Sequence, residues 1–223
     1  MELFQLPIST RVQKVIPKNA FDQHTSAKEK KLISEKVQRI TWLNKISSET
    51  TNLPFNDIQE IQIFTVELKV KEVIAPILNL IDKAIPYRII FVVQADGEFY
   101  LSTSVKHEHP TKKDASVIDW TFTTDWLTKT SEMDFNLKLT KSIDIVYESF
   151  CLIIRGKNAV GSTIQDVIEF DKKSEALKKE IRKIKASIKS AKVYRIKVEQ
   201  NILLQAKEKE LEDWTRKSDN RAE

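Results

Sequence analysis

Glycine is scarce in this chain, which has only three glycines in 223 residues. Phosphate-binding loops need glycines at fixed spacings, because their backbone must approach the phosphate closely. Neither GxGxxG nor GxxxxGK[ST] occurs anywhere in the sequence. The shortage of glycine therefore excludes the two common kinds of nucleotide-binding loop.

Cysteine is equally scarce. Cys151 is the single cysteine, so the chain cannot form an internal disulfide. This is compatible with a reducing compartment, and we predict a cytoplasmic protein. No local signature of a nucleophilic cysteine surrounds Cys151, and it lies in a segment that reads as an apolar helix.

Long apolar runs are missing as well. No run approaches the ~18 residues that a membrane-spanning helix requires. The first residues, MELFQLPIST, lack the basic region and the long apolar region of a signal peptide. We therefore expect no membrane span and no signal peptide.

Charged residues, in contrast, are abundant and unevenly placed. They make up 31% of the chain, above the ~25% that is usual in globular proteins. The net charge of +5 lies entirely within residues 157–223, since the rest of the chain sums to zero. Residues 172–197 alone carry 11 basic and 2 acidic side chains. The C-terminal part is therefore a candidate for binding anions or acidic partners.

The stretch IQIFTVELKVKEVIAPILNLIDKAIPYRIIFVV, residues 61–93, predicts a strand, a helix and a second strand. Ile61 to Leu68 is apolar on both faces, as in a strand that is covered on both sides. Apolar residues then recur at helical spacing, with Pro76 where only a first turn accepts it. A strand–helix–strand unit makes a parallel strand pair.

The remaining segments extend this core. We predict a helix capped by Ser26 and Glu29, a strand over residues 40–46, a tight turn at Asp96-Gly97 and a strand over 117–123. Residues 1–25 read as irregular, and a helix begins at Ser142. The fold class is α+β, with a mixed sheet of four to five strands in residues 1–156. A hinge at 157–162, a charged coiled-coil helix or helical hairpin at 163–218 and a disordered tail at 219–223 follow.

Residues 163–217 contain neither glycine nor proline. An apolar seam at alternating spacings of four and three is typical of a coiled coil. The predicted seam consists of Leu177, Ile181, Ile184, Ile188, Ala191, Val198 and Ile202. Such a narrow stripe must be covered by a second copy, by a second helical segment or by another protein.

Several cations are candidates for binding an anion or nucleic acid. Two sets are predicted, the first in the sheet domain and the second on the charged helix: Lys14, Lys18, Lys69, Lys83 and Lys106, and then Lys178, Lys179, Arg182, Lys185 and Lys189. Lys83 could equally complement the dipole at the end of its helix. A solvated flank of a coiled coil is the plainer interpretation of the second set.

One pattern suggests an enzyme. In nucleases of the PD-(D/E)xK fold, an acidic residue and an ExK motif hold Mg²⁺ and steady the attacking water. Glu67-Leu68-Lys69 has the ExK form, and Asp57 lies ten residues earlier. The alternative is an ordinary ion pair at the end of a strand. His107 and His109 form an HxH pair, but no third ligand is evident, so we predict no metal site there.

Four segments, in this order, resemble a known bacterial family. They are QKVIPKNAF, EIQIFTVELK, IDKAIPYRIIF and KVEQN within the charged helix. Together they are similar to the bacterial domain-of-unknown-function family 4391. The resemblance covers nearly the whole chain and brings no assigned chemistry. It implies a context beside helicases and DNA methyltransferases of defence or restriction systems.

Three hypotheses of function follow. The first is a non-enzymatic accessory protein without a cofactor, which assembles through its C-terminal coil with a bacterial helicase or DNA methyltransferase. The second is a Mg²⁺-dependent nuclease built on Asp57, Glu67 and Lys69. The third is a homodimeric scaffold that binds nucleic acid non-specifically through the basic helix.

Overall fold

The computed structural model describes residues 3–108, 111, 116–128, 135–156 and 163–219. The chain divides into two compact units, Met1–Arg155 and Gly156–Glu223. The hinge predicted at 157–162 and residues 220–223 of the predicted tail lie outside the described residues, and so does His109.

The first unit contains a mixed six-stranded sheet whose spatial order follows the chain. Its strands are β1 (Arg11–Ile16), β2 (Val37–Ser47), β3 (Glu60–Leu68), β4 (Arg88–Ala95), β5 (Glu98–Glu108) and β6 (Ser116–Thr123). Only β3 and β4 are parallel, and every other neighbouring pair is antiparallel. The predicted α+β class with a mixed sheet is confirmed.

Six α-helices are described along the two units. They are α1 (Ala27–Lys36), α2 (Ser48–Thr51), α3 (Ala75–Ala84), α4 (Ile143–Arg155), α5 (Ile164–Ser190) and α6 (Tyr194–Asp219). The predicted capping box forms at α1, where Ser26 accepts from the Glu29 backbone and Glu29 accepts from the Ser26 backbone. No described helix has the combined length and apolar character that crossing a membrane requires.

The predicted strand–helix–strand unit is present as β3, α3 and β4. Ile63 pairs with Ile90 in the parallel register, and both are buried. Pro76 lies in the first turn of α3, where a missing N–H leaves no hydrogen bond unmade. Asp96 and Gly97 make the turn from β4 to β5 with positive φ angles of 50° and 81°. Both central residues of the turn thus adopt the conformation that favours Asp-Gly.

The predicted count of four to five strands is wrong, because residues 11–16 form a sixth strand. This segment lies at the edge of the sheet, and most of its side chains are exposed. A register shift interrupts its pairing with β2, and Gln13 has a φ of 53° at that point. An exposed, bulged edge strand lacks the alternation of apolar and polar residues that identifies a half-buried strand.

The sheet is covered on both faces. Phe64, Val66 and Phe91 belong to the core cluster that also contains residues of α1 and α3. The alternate residues Ile61 and Ile63 are also fully buried, and on that second face the helix α4 contacts β3, β5 and β6. Coverage of both faces explains why the central strands are continuous apolar runs.

A buried ion pair fastens the C-terminal end of α3 to β5. Lys106 Nζ lies 2.8 Å from Asp82 Oδ1, and both side chains are almost completely buried. The same ammonium donates to the carbonyl oxygens of Asp82 at 2.7 Å and Ile85 at 2.6 Å. Lys106 therefore satisfies carbonyls that the end of a helix leaves without partners, and it neutralises the carboxylate beside them.

A second polar connection joins α4 to the loop before β3. The Asp144 carboxylate accepts hydrogen bonds from the backbone N–H groups of Asn56, Asp57 and Ile58, at 2.8–3.0 Å. Partial burial by itself raises the pKa of Asp144, but these three donors outweigh it and hold the pKa below its usual value. The loop that precedes β3 is fixed in this way.

The second unit is a helical hairpin, which was one of the two predicted alternatives. The helix α5 ends at Ser190, and Ala191 has an extended backbone with φ −66° and ψ 128°. The helix α6 returns antiparallel, so that Lys185 pairs with Glu208 at 2.8 Å and Lys207 with Glu180 at 3.0 Å. Farther from the turn, the rings of Phe170 and Trp214 stack with centroids 5.6 Å apart.

We predict that Lys106→Met lowers the free energy of unfolding by roughly 3–5 kcal/mol, because it leaves the Asp82 carboxylate and two carbonyl groups buried without a donor. Urea denaturation followed by circular dichroism measures this loss. Lys83→Met is the matched control, since Lys83 is an exposed lysine in the last turn of α3, the helix that carries Asp82. It should change stability by only about 0.5 kcal/mol. A loss of the same small size for Lys106→Met would contradict the structural role of the pair.

We predict that Asp144→Asn destabilises the protein near neutral pH and that this difference fades in acid. A carboxyl with a depressed pKa in the folded state contributes stability above its unfolded pKa of about 4 and loses it as the pH falls through the folded value. Melting temperatures of both proteins between pH 7 and pH 2.5 measure the effect. Asp57→Asn, which makes the same change at an exposed carboxylate of the neighbouring loop, is the matched control. A constant difference down to the lowest pH would refute this assignment.

Candidate functional site

The predicted seam packs in the hairpin only along its first part. Leu177, Ile181 and Ile184 are buried on α5, with exposures of 4%, 8% and 8%, and Ile188 and Ala191 are half-buried. On α6, however, Val198 is 41% exposed and Ile202 is 64% exposed. The prediction that these two residues continue the same seam within the chain is wrong, because the turn at 191–193 interrupts the helical phase.

Different residues of α6 face α5. The half-buried positions of α6 recur at spacings of four and three: Gln200, Leu204, Lys207, Leu211 and Trp214. At ~100° per residue, Val198 and Ile202 lie on roughly the opposite side of α6 from this set. Two long polar stretches therefore make a hairpin that covers one stripe on each helix and leaves a second apolar stripe of α6 uncovered.

We define the hairpin tip as residues 182–203, which include the turn between the two helices. Its exposed large apolar residues are Val193, Tyr194, Ile196, Val198, Ile202 and Leu203, with exposures between 41% and 81%. Tyr194, Val198 and Ile202 are four residues apart, so they form a continuous stripe along one side of α6. Large apolar side chains this exposed and this close together are typical of a surface that contacts a partner.

The hairpin tip is also strongly basic. Residues 182–197 contain seven Lys and Arg residues and no acidic residue. Two of these cations have partners, since Lys185 pairs with Glu208 and Arg195 with Glu199. Among the described residues the remaining five have no ion pair: Arg182, Lys183, Lys189, Lys192 and Lys197. The hairpin tip therefore carries uncompensated positive charge as well as an exposed apolar stripe.

The predicted basic residues of α5 fall into two groups, those with an acidic partner and those without one. Lys178 lies 3.7 Å from Glu175, and Lys185 pairs with Glu208. Lys179, Arg182 and Lys189 are exposed, and no described acidic side chain pairs with them. The cations that remain available for a partner are therefore concentrated towards the tip.

A polar cleft lies in the first unit, at the end of the sheet where the parallel strands β3 and β4 begin. This β3–β4 cleft has a volume of about 260 Å³. Its lining comes from the loop before β3, the loop before β4 and the end of β5: Asp57, Ile58, Gln59, Glu60, Pro86, Tyr87, Arg88, Lys106 and His107. Cations and carboxylates are both present in its wall.

Arg88 is the distinctive group in the β3–β4 cleft. It is half-buried, and its guanidinium carbon lies 5.9 Å from the centre of the buried Tyr147 ring. Its Nε is inaccessible to solvent and has no hydrogen-bond partner. No described residue forms an ion pair with Arg88. A guanidinium carries five donors in a fixed plane. Arg88 attracts the buried Asp82 carboxylate from a distance, but it has no direct ion pair among the described residues.

The other ionic groups of the cleft have mostly found partners. Glu60 is buried and lies 3.1 Å from Lys45 Nζ, and Lys106 is engaged by Asp82. His107 Nδ1 lies 2.9 Å from Asp119 Oδ2. Asp57 is exposed, and its carboxylate has no ion-pair partner among the described residues. The cleft thus has one unpaired cation, Arg88, and one unpaired anion, Asp57.

The residues proposed for a nuclease do not assemble. Glu67 lies at the far end of β3, about 23 Å from Glu60 at ~3.3 Å per residue, whereas Asp57 lines the cleft beside Glu60. Arg39 donates to Glu67 from Nε at 2.9 Å and from Nη2 at 2.6 Å. Lys69 donates to the Ser34 carbonyl at 2.8 Å. The prediction that Asp57, Glu67 and Lys69 share a metal is wrong, because the acidic residues lie at opposite ends of one extended strand.

The predicted lysine cluster of the first unit does not converge either. Lys69 and Lys106 donate to internal acceptors, and only Lys106 of the five lines the cleft. Lys14 is exposed on the edge strand β1, Lys18 begins a short 3₁₀ helix, and Lys83 is exposed in the last turn of α3. These positions belong to separate elements.

Cys151 is buried and His107 is paired, while His109 of the predicted pair lies outside the described residues. Burial raises the pKa of the Cys151 thiol to about 12, so that the reactive thiolate is suppressed at neutral pH. His107 is engaged by Asp119, and no group of three described His, Cys, Asp or Glu side chains could hold a metal ion.

The sequence reasoning missed Arg88 and the Asp82–Lys106 pair. Asp82 interrupts the apolar series of α3, and a charged residue on the inner face of a helix could have indicated a buried ion pair. Lys106 and Arg88 gave no such signal, since each lies near the end of a strand, where charged residues are normally solvated.

The chain was compared with protein families, with curated proteins and with solved structures. The sequence model of a domain of unknown function, DUF4391, matches residues 4–211. No curated protein and no solved structure matches the chain. The match spans nearly the whole sequence and includes both units. The chain therefore belongs to the DUF4391 family, as its four ordered motifs indicate.

Proposed function

We propose that this protein is a non-enzymatic accessory protein of the cytoplasm, which assembles with a larger protein through its hairpin tip. One observation carries the proposal, namely the exposed stripe of Tyr194, Val198 and Ile202 on a tip that also carries cations without an ion-pair partner in the described hairpin. A partner that covers this stripe removes apolar surface from water, which is the main favourable contribution to most protein association.

The charges specify what kind of surface the partner presents. Five unpaired cations lie on the same tip as the stripe, three on α5 and two at Lys192 and Lys197, so the complementary surface combines an apolar stripe with acidic residues. The regular four-residue spacing of the stripe suits a partner helix that lies along α6. In this proposal the partner helix packs on Val198 and Ile202 and extends the hairpin into a coiled-coil bundle of three helices.

A second copy of the chain is a poorer occupant of this surface. Pairing two tips would bring the five unpaired cations of one copy against the five of the other, since the acidic partners Glu199 and Glu208 are already engaged by Arg195 and Lys185. Like charges at close range destabilise an interface. We therefore favour a different protein over the homodimeric scaffold.

Nucleic acid alone is also a poorer occupant. Phosphates would engage the cations, but they would leave the apolar stripe in water, and Tyr194 is the single aromatic residue between 172 and 203 that could stack on a base. By family resemblance, we propose a helicase or DNA methyltransferase of a bacterial defence system as the partner, with the sheet domain contributing to docking.

We predict that the double variant Val198→Gln/Ile202→Gln, made in the full chain, weakens binding to the neighbour-encoded helicase or methyltransferase by about 100-fold. Each apolar side chain contributes ~1.5 kcal/mol or more when it is buried, and ~1.4 kcal/mol corresponds to a factor of ten. Co-purification from the native host, followed by titration of the two purified proteins, measures the change. Deleting residues 163–223 should abolish the complex as well.

Val70→Gln/Val73→Gln is the matched control. These two valines are 66% and 62% exposed in the first unit and lie outside the stripe, so their replacement should change the affinity far less than the tip variant does. Binding by the tip variant that equals binding by the wild type would rule out assembly through this stripe. The nucleic-acid hypothesis would be supported instead if no protein partner is found and duplex DNA binds the wild type and the tip variant equally, with a steep salt dependence.

A further inference from the structure

The β3–β4 cleft contains two opposite charges, Arg88 and Asp57, that form no ion pair among the described residues. Arg88 has a solvent-inaccessible Nε without a hydrogen-bond partner, and none of the described residues forms an ion pair with it. Native proteins leave few buried donors unsatisfied, because each one costs the desolvation of a polar group. The accessible part of Arg88 lines the cleft, so a bound acceptor there would compensate the charge of the guanidinium.

The chemistry of the acceptor follows from the donor. A guanidinium binds planar carboxylates and phosphates with two parallel hydrogen bonds. The nearby Lys106 does not compete for the same acceptor, because its ammonium already donates to Asp82 and Ile85. Arg88 is thus the single lining cation with a free donor set among the described residues, apart from the partly engaged His107.

The remaining wall argues against a highly charged anion. Asp57 and Glu60 line the same cleft as Arg88. Glu60 is balanced by Lys45, but Asp57 has no balancing cation among the described residues. A phosphate with two negative charges would gain one cation and face one uncompensated carboxylate. A ligand with one negative and one positive group would compensate both Arg88 and Asp57.

The size of the cleft limits the ligand further. A volume of about 260 Å³ is below the ~300–1,000 Å³ that is typical of pockets for drug-sized ligands. A nucleotide cofactor or a long peptide would extend beyond it. The exposed edge of Tyr87, which is 38% accessible, offers one aromatic contact for a short side chain.

Interactions that stabilise the fold also hold the walls of the cleft in place. Three hydrogen bonds from Asp144 fix the backbone of residues 56–58. Lys106 holds the carbonyl of Ile85, directly before Pro86 and Tyr87. The Tyr147 ring supports the guanidinium of Arg88. Preorganisation of this kind reduces the entropy that a small ligand must lose on binding.

From these observations we propose that the β3–β4 cleft binds a small zwitterion of the α-amino acid class. Its carboxylate pairs with Arg88, its ammonium lies towards Asp57, and its side chain contacts Tyr87. This site is independent of the hairpin tip, and it requires neither a metal nor a covalent step.

In the test, each of the twenty free α-amino acids is titrated into the purified protein, and binding is measured by calorimetry and by NMR. At least one of them should bind with a Kd of about 1 mM or tighter. The amide of that amino acid, which lacks the carboxylate, and its N-acetyl derivative, which lacks the ammonium, should each bind at least about tenfold more weakly. Inorganic phosphate should not compete.

Two variants assign the contacts. Arg88→Gln should weaken the binding of the free amino acid at least about tenfold. In this variant the free amino acid should bind no more tightly than its amide. Asp57→Asn should abolish the advantage over the N-acetyl derivative, and because Asp57 is exposed, this variant retains the fold. Arg216→Gln, which alters an exposed arginine paired with Glu212 on α6, is the control without effect.

The opposite results are equally clear. The proposal is wrong if no free amino acid binds the wild-type protein, or if phosphate binds where amino acids do not. It is also wrong if the derivatives bind as tightly as the free amino acid, or if Asp57→Asn leaves their ranking unchanged. Circular dichroism of Arg88→Gln separates a lost contact from a lost fold.

Discussion

The arrangement of the first unit depends on one buried ion pair, Lys106 with Asp82. A helix that ends inside a protein needs donors for its last carbonyls, and here a single ammonium supplies them from β5. Burial is the largest influence on both groups, so it raises the pKa of Asp82 and lowers that of Lys106. Because the two are in direct contact, they titrate as a coupled pair. The pair fixes where α3 ends, and that position sets the path of Pro86 and Tyr87 into the cleft.

The second unit depends on a different constraint, which is the limited amount of apolar surface that two helices can bury against each other. Each helix contributes one stripe to the contact, and α6 has a second stripe at Tyr194, Val198 and Ile202. The two units of the protein therefore present different kinds of surface. The cleft offers fixed charges to a small ligand, whereas the tip offers apolar area and cations to a macromolecule.

The sequence predicted those parts of the fold in which burial and periodicity agree. The β3, α3 and β4 segments are long apolar runs, and Asp96-Gly97 is a specific turn signal, so both were predicted correctly. Strand β1 was missed because an exposed, bulged edge strand has no alternation to recognise. The cleft was missed for a related reason: Arg88, Asp57 and Lys106 come from three separated segments, and only the strand register brings them together. Glu67 and Asp57 failed as a pair because spacing along a chain does not reveal that an extended strand separates two residues by tens of ångströms.

The extent of the family match bears on how the two units are related in function. The match over residues 4–211 runs through the cleft residues of the first unit and through Val198 and Ile202 of the second. The hairpin is therefore part of the family's own domain and is not an appendage to the sheet. A protein that retained the sheet alone would keep the Arg88 site but lose every unpaired cation of the tip. The first unit presents an ionic cleft, whereas the second presents an apolar surface with cations. One kind of partner therefore does not match both surfaces. The two binding events that we propose, one with a small molecule and one with a protein, are consistent with that difference.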